Sequence, residues 1–127
     1  MRIEEIDQAK HLILIYKISE ITDRTSALRW FAHAINKKLI NDFCIDLEDF
    51  RSFHDGSESI CLTQLPQTDL FIEKYIKSNI VSASITGTFE NKNVSIGISL
   101  EDGLVSLSCQ KCDLANYRKL EQLLGLV

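Results

Sequence analysis

The sequence predicts an α+β domain made of an N-terminal helical pair, an acidic irregular middle with short strands, a three-stranded antiparallel meander and a C-terminal helix. Three observations predict it. Apolar residues recur at helical spacing between 24 and 40, apolar and hydroxyl residues alternate between 80 and 109, and a second helical stripe closes the chain after Asp113. With 127 residues, 45% hydrophobic, 25% charged and one proline, the chain is sized for a single globular domain spanning residues 1–127.

The elements follow in order. Ile3, Ile6, Ala9, Ile13 and Tyr16 can share a helical face, which predicts a helix over 3–20. The same stretch also alternates as a strand would, at Leu12, Leu14, Tyr16 and Ile18, and its β-branched content favours strand. Residues 24–40 form the best helix: Leu28, Phe31, Ala32, Ile35 and Leu39 make its stripe, Ala27, Trp30 and Ala34 widen it, and Asp23 is its N-cap. In the middle, Phe43, Ile45 and Leu47 alternate with Cys44 and Asp46, and Ile60 and Leu62 with Cys61 and Thr63, so two short strands flank an irregular 48–59. Pro66 ends that block, and Ile72, Tyr75 and Ile76 predict a short helix over 68–78.

The meander is expected at 80–89, 94–100 and 105–109. Two-residue turns at Asn91-Lys92 and Asp102-Gly103 would set Phe89 against Val94, Ile85 against Ile98, Leu100 against Val105 and Ile98 against Leu107. All its apolar residues then share one face, which needs a helical cover. The closing helix, 113–124, with Asp113 as cap and Leu114, Tyr117, Leu120 and Leu124 as its stripe, contributes to that cover.

Charge narrows the function. Eighteen acidic against fourteen basic side chains give a net charge of −4, which argues against a surface that grips nucleic-acid phosphates. The apolar run Leu12–Tyr16 is far shorter than the roughly 20 residues that span a bilayer, and Glu4, Glu5 and Asp7 precede it, so neither a leader nor an anchor is read here. The expected compartment is the cytoplasm, and the expected state of Cys44, Cys61, Cys109 and Cys112 is the free thiol.

Candidate chemistry is sparse. Cys109-Gln110-Lys111-Cys112 supplies two of the four ligands a structural zinc needs, with Cys44, Cys61 or His54 left to complete the set. A thiol pair before a helix could also be redox-active, but it lies near the end of the chain and the sole proline, Pro66, precedes it; plain structural cysteines are the expectation. His11, His33 and His54 stand apart, and His54-Asp55 with Cys61 is the one acid–base–nucleophile combination available. Neither a phosphate-binding glycine loop nor a calcium loop is written, so no cofactor or metal is expected.

The acidity is concentrated. Residues 42–73 carry one basic against eight acidic side chains, whereas 1–41 carry seven against five and 74–127 six against five. Asp42, Asp46, Glu48, Asp49, Asp55 and Glu58 are interleaved there with Phe43, Phe50 and Phe53. Such a segment steers a basic protein toward it, and Phe50 and Phe53 would anchor the docked partner. The far face of the meander is small and hydroxylated through Ser82, Ser84, Thr86, Thr88, Ser95, Ser99, Ser106 and Ser108, where Lys and Glu are commoner, so a partner or a second copy in a homodimer could lie on it.

In size, acidity and lack of catalytic equipment the chain is similar in general character to small bacterial immunity and inhibitor proteins, which block a toxin by covering its active site; it shares no motif with them. The expected function is a non-enzymatic protein-binding module of immunity type, neutralising a basic, nuclease-like toxin. The alternatives are a small enzyme built on His54, Asp55 and Cys61, or a Cys-x-x-Cys metal-binding domain.

Overall fold

A computed structural model of the chain describes residues 1–7, 11–49, 59–110 and 114–126. Its elements are β1 (Arg2–Asp7), β2 (His11–Tyr16), α1 (Arg24–Ile35), β3 (Asn41–Asp49), β4 (Ser59–Leu62), α2 (Thr68–Tyr75), β5 (Ile80–Phe89), β6 (Lys92–Ser99), β7 (Val105–Gln110) and α3 (Leu114–Leu123). The strands form one seven-stranded sheet in the order β1-β2-β7-β6-β5-β3-β4, with every neighbouring pair antiparallel.

This overturns the expected architecture. The N-terminal helical pair does not form: residues 3–7 and 11–16 of the expected first helix lie in the paired strands β1 and β2, and among the described residues no helix precedes α1. The separate three-stranded meander does not exist either, because its segments are members of a sheet that β1, β2, β3 and β4 extend on both sides. Burial decides the first point. Along β2, Leu12, Leu14 and Tyr16 are buried while Ile13 and Ile15 face the other way, half-buried, and this period of two would waste the helical stripe that includes Ile13.

The register also differs. Phe89 pairs with Lys92, Gly87 with Val94 and Ile85 with Ile96, while Ile98 pairs with Val105 and Ile96 with Leu107. The first turn is Glu90-Asn91, both at positive φ (52° and 66°), one residue earlier than expected. The second connection runs from Leu100 to Gly103; Ser99 N–H donates to Leu104 O (3.0 Å), and Gly103 adopts φ +73°.

One row of side chains shows how the sheet is filled. Leu14, Leu107, Ile96, Ile85 and Ile45 lie side by side across five strands and are all buried. Ala27, Leu28, Phe31 and Ala32 of α1, Phe71 and Tyr75 of α2, and Tyr117 and Leu120 of α3 complete the core. The Phe71 ring lies 6.2 Å from Phe31 and 5.1 Å from Tyr75. α1 starts where Asp23 accepts from Ser26 N–H (2.8 Å) while Ser26 Oγ accepts from Asp23 N–H (3.0 Å), a reciprocal cap.

α3 is pinned to the sheet by polar contacts. The Tyr117 hydroxyl accepts from Cys109 N–H (2.6 Å) and donates to Leu12 O, joining β7 and β2 to the helix. Glu121, although 3% exposed, accepts from Tyr16 OH (2.7 Å) and from Arg2 Nη2 (2.8 and 3.1 Å), so its charge is paired and hydrogen-bonded. Among the described residues no helix is long and apolar enough to cross a membrane.

Candidate functional site: the open face of the sheet

Strand alternation sends every second side chain to the face opposite the core. Across that face Ile15, Ser106, Gly97, Ser84, Asp46 and Cys61 are successive neighbours; beside them run Ile13, Ser108, Ser95, Thr86 and Cys44, and on the other side Ser99, Ser82 and Glu48. The face therefore grades from isoleucine at β2, through hydroxyls on β7, β6 and β5, to carboxylates on β3. From β3 to β7 its described outward residues include no lysine or arginine.

Gly97 makes the centre of this face a depression. Without a side chain there, an open groove of about 420 Å³ forms between Ile15, Ser82, Ser84, Ser99 and Ser106, with Glu48 and Asp102 at its rim. A Cβ at Gly97 would approach Ser106 Oγ to 2.9 Å, so a larger residue fills the floor of the groove.

The structure sorts the sequence-predicted residues. Asp46 and Glu48 stand together on the open face, half-buried among the hydroxyls. Asp42 is exposed at the start of β3 in a left-handed conformation (φ +49°). Asp49, at the far end of β3, lines a different cleft with Lys74, Tyr75 and Ile60, so it is not brought together with Asp46 and Glu48. Phe50, Phe53, Asp55 and Glu58 lie outside the described residues, as do His54 and Cys112.

The cysteines correct a further expectation. Cys44 and Cys61 are not free thiols: they are joined as a disulfide, with Cα atoms 6.5 Å apart. In that state Cys61 has no thiol to serve as the nucleophile of a His54/Asp55/Cys61 site. Strand pairing explains the bond. Asp46 stands opposite Cys61, and Cys44 is the next outward residue along β3, so the two cysteines are diagonal neighbours on one face. Cys109 is buried on the opposite, helix-covered face.

Sequence reasoning missed both the disulfide and the groove. The outward parity of Cys44 and Cys61 was visible in their alternation with Ile45 and Ile60, but the pairing of β3 with β4 was needed to bring them together. Gly97 read only as a strand glycine. No protein family, curated protein or solved structure matches the chain.

Proposed function

We propose that the chain is a non-enzymatic protein-binding module that docks a basic protein on the open face of its sheet, as an immunity-type inhibitor covers a basic, nuclease-like toxin. The observation that supports this reading is the composition of that face: a groove floored by Gly97, hydroxyl walls, and Asp46 and Glu48 beside it with no outward lysine or arginine from β3 to β7 among the described residues. Small side chains lose little rotamer entropy on docking and let a partner approach the backbone closely. The carboxylates attract a cationic surface and disfavour an acidic one. The compartment that goes with this reading is the cytoplasm.

The test is affinity capture from the native host with the wild-type chain and with an Asp46→Asn/Glu48→Gln variant, at low and at high salt. A basic protein held by the wild type at low salt, and lost both on the variant and at high salt, is the expected result. Equal retention by the variant, or a wild-type chain that self-associates through this face, would overturn the reading in favour of another surface or a homodimer.

A further inference from the structure

We propose that Cys44, Cys61 and Asp46 form a redox-gated zinc site at the acidic edge of the open face. Their placement follows from backbone pairing: Asp46 opposes Cys61 across β3 and β4, and Cys44 precedes it by one outward position. Cys44 Sγ lies 3.7 Å from an Asp46 carboxylate oxygen, and the two sulfurs and a carboxylate oxygen all fall within 4.8 Å of one another. Tetrahedral zinc with thiolate bonds of about 2.3 Å requires sulfurs roughly 3.7 Å apart. Opening the disulfide and a small rotation of the side chains meets that spacing without moving either strand.

The donor set selects the ion. Two thiolates and one carboxylate suit zinc, whereas calcium and magnesium prefer all-oxygen shells. Cys44 and Asp46 are half-buried and Cys61 is exposed, so both the metal and a small thiol can reach the site, and three protein donors leave one tetrahedral position for water. Glu48, next outward on β3, adds negative potential beside it.

The gate is thiol–disulfide exchange. Two molecules of a small thiol such as glutathione reduce the Cys44–Cys61 bond: two electrons pass to the protein sulfurs and the small thiol leaves as its disulfide. The cysteines then release two protons to solvent as zinc binds their thiolates. In the reverse direction a small disulfide accepts the two electrons, the protein disulfide re-forms and hydrated zinc departs. Cys109 is not a ligand of this site, because it is buried on the opposite face of the sheet. The proposal concerns the isolated chain and does not rest on the partner-binding reading.

The experiment uses the full-length chain, reduced with a phosphine, freed of metal and titrated with zinc against a chromophoric chelator, with cobalt as the spectroscopic probe. About one zinc per chain, a thiolate-to-cobalt charge-transfer band, and loss of both after treatment with oxidised glutathione are expected. Cys44→Ser and Cys61→Ser should abolish binding, Asp46→Asn should weaken it about tenfold or more, and Cys112→Ser should leave it unchanged. Should a serine variant fail to fold, the wild type still decides, since zinc must protect Cys44 and Cys61 from iodoacetamide. Failure of the reduced wild type to bind zinc, equal binding by the oxidised chain, zinc retained by Cys44→Ser, zinc lost in Cys112→Ser, or no protection of Cys44 and Cys61 would each overturn it.

Discussion

Arg24, at the start of α1, ties that helix to the end of α2 and the start of β5. Its Nε donates to Ile76 O (3.0 Å), its Nη1 to Ile80 O (2.7 Å), and its Nη2 to Tyr75 O (3.0 Å), Ser78 O (3.0 Å) and Ser78 Oγ (3.2 Å). Two of these acceptors, Tyr75 and Ile76, end α2, where carbonyls have no partner within the helix, and Ile80 begins β5. A planar fork of donors serves this cluster, and a lysine ammonium cannot span it. Arg24→Lys is therefore expected to lower unfolding free energy by about 2 to 3 kcal/mol, read as a shift of the urea midpoint at constant m-value. Tyr16 gives a second expectation. Burial first, then its hydrogen bond to the Glu121 carboxylate, pushes the phenol well above its ordinary value of 10.0. The folded chain thus binds the phenolic proton more tightly than the unfolded chain. Its contribution is complete below pH 10.0 and is lost as pH rises beyond it. Thermal stability should decline on the alkaline side, and Tyr16→Phe should flatten that decline while costing about 1 to 3 kcal/mol at neutral pH, because Glu121 then keeps only Arg2.

At the scale of elements, the Cys44–Cys61 bond ties β3 to β4, the short edge strand of the sheet, across a sequence separation of 17. Closing a loop of that length removes about 3 kcal/mol of entropy from the unfolded chain. Reduction in the presence of a chelator should lower stability by that order, and hydrogen exchange should show the loss concentrated in β4 and the residues of β3 paired with it. The same region shows how legible the elements were. α1 was readable at its start, where the Asp23 cap and the apolar stripe from Ala27 to Ile35 are local signals that agree, but it ends at Ile35 and not at residue 40: Lys38 adopts a left-handed conformation (φ 59°), and Leu39 lies past the helix. Residues 3–20 were misread because two periods are written there at once: Ile3, Ile6, Ala9, Ile13 and Tyr16 satisfy a helical one, and Leu12, Leu14, Tyr16 and Ile18 a strand one. What decides between them is β7, roughly ninety residues away, whose inward Val105, Leu107 and Cys109 pair with Tyr16, Leu14 and Leu12. The first hairpin slipped because Asn91 was taken for the first of two turn residues and is the second. Glu90, an unusual residue at positive φ, takes the first place. Moving a turn by one residue moves the pairing by two, which keeps each side chain on its expected face. The second slipped because Leu100 extends the pairing with β5, its N–H bonded to Val81 O (2.8 Å) and its side chain buried, and opens the connection to β7 instead of pairing with Val105.

For the whole molecule, the distribution of charge over the two faces is what a partner would meet. Of the site named from sequence, Asp46 and Glu48 survive as neighbours because alternation along β3 is a local property. Asp49 falls into another cleft where the register with β5 shifts after Glu48. The proposed docking face separates two contributions that a measurement can resolve. Asp46 and Glu48 act at a distance, so Asp46→Asn/Glu48→Gln should slow association with a basic partner and flatten its salt dependence, while changing stability by no more than about 0.5 kcal/mol. The Gly97 groove acts only on contact. Gly97→Thr fills it with a side chain whose nearest neighbour is the rotatable Ser106 hydroxyl, so the sheet tolerates it, and β-branching suits the strand. That variant should associate at the wild-type rate and dissociate at least about tenfold faster, since shape mismatch acts mainly on the off-rate. Stopped-flow association at two ionic strengths together with dissociation after dilution checks both. A neutralised variant that associates at the wild-type rate at low salt removes the electrostatic contribution, and a Gly97→Thr variant with an unchanged off-rate places the partner on another surface.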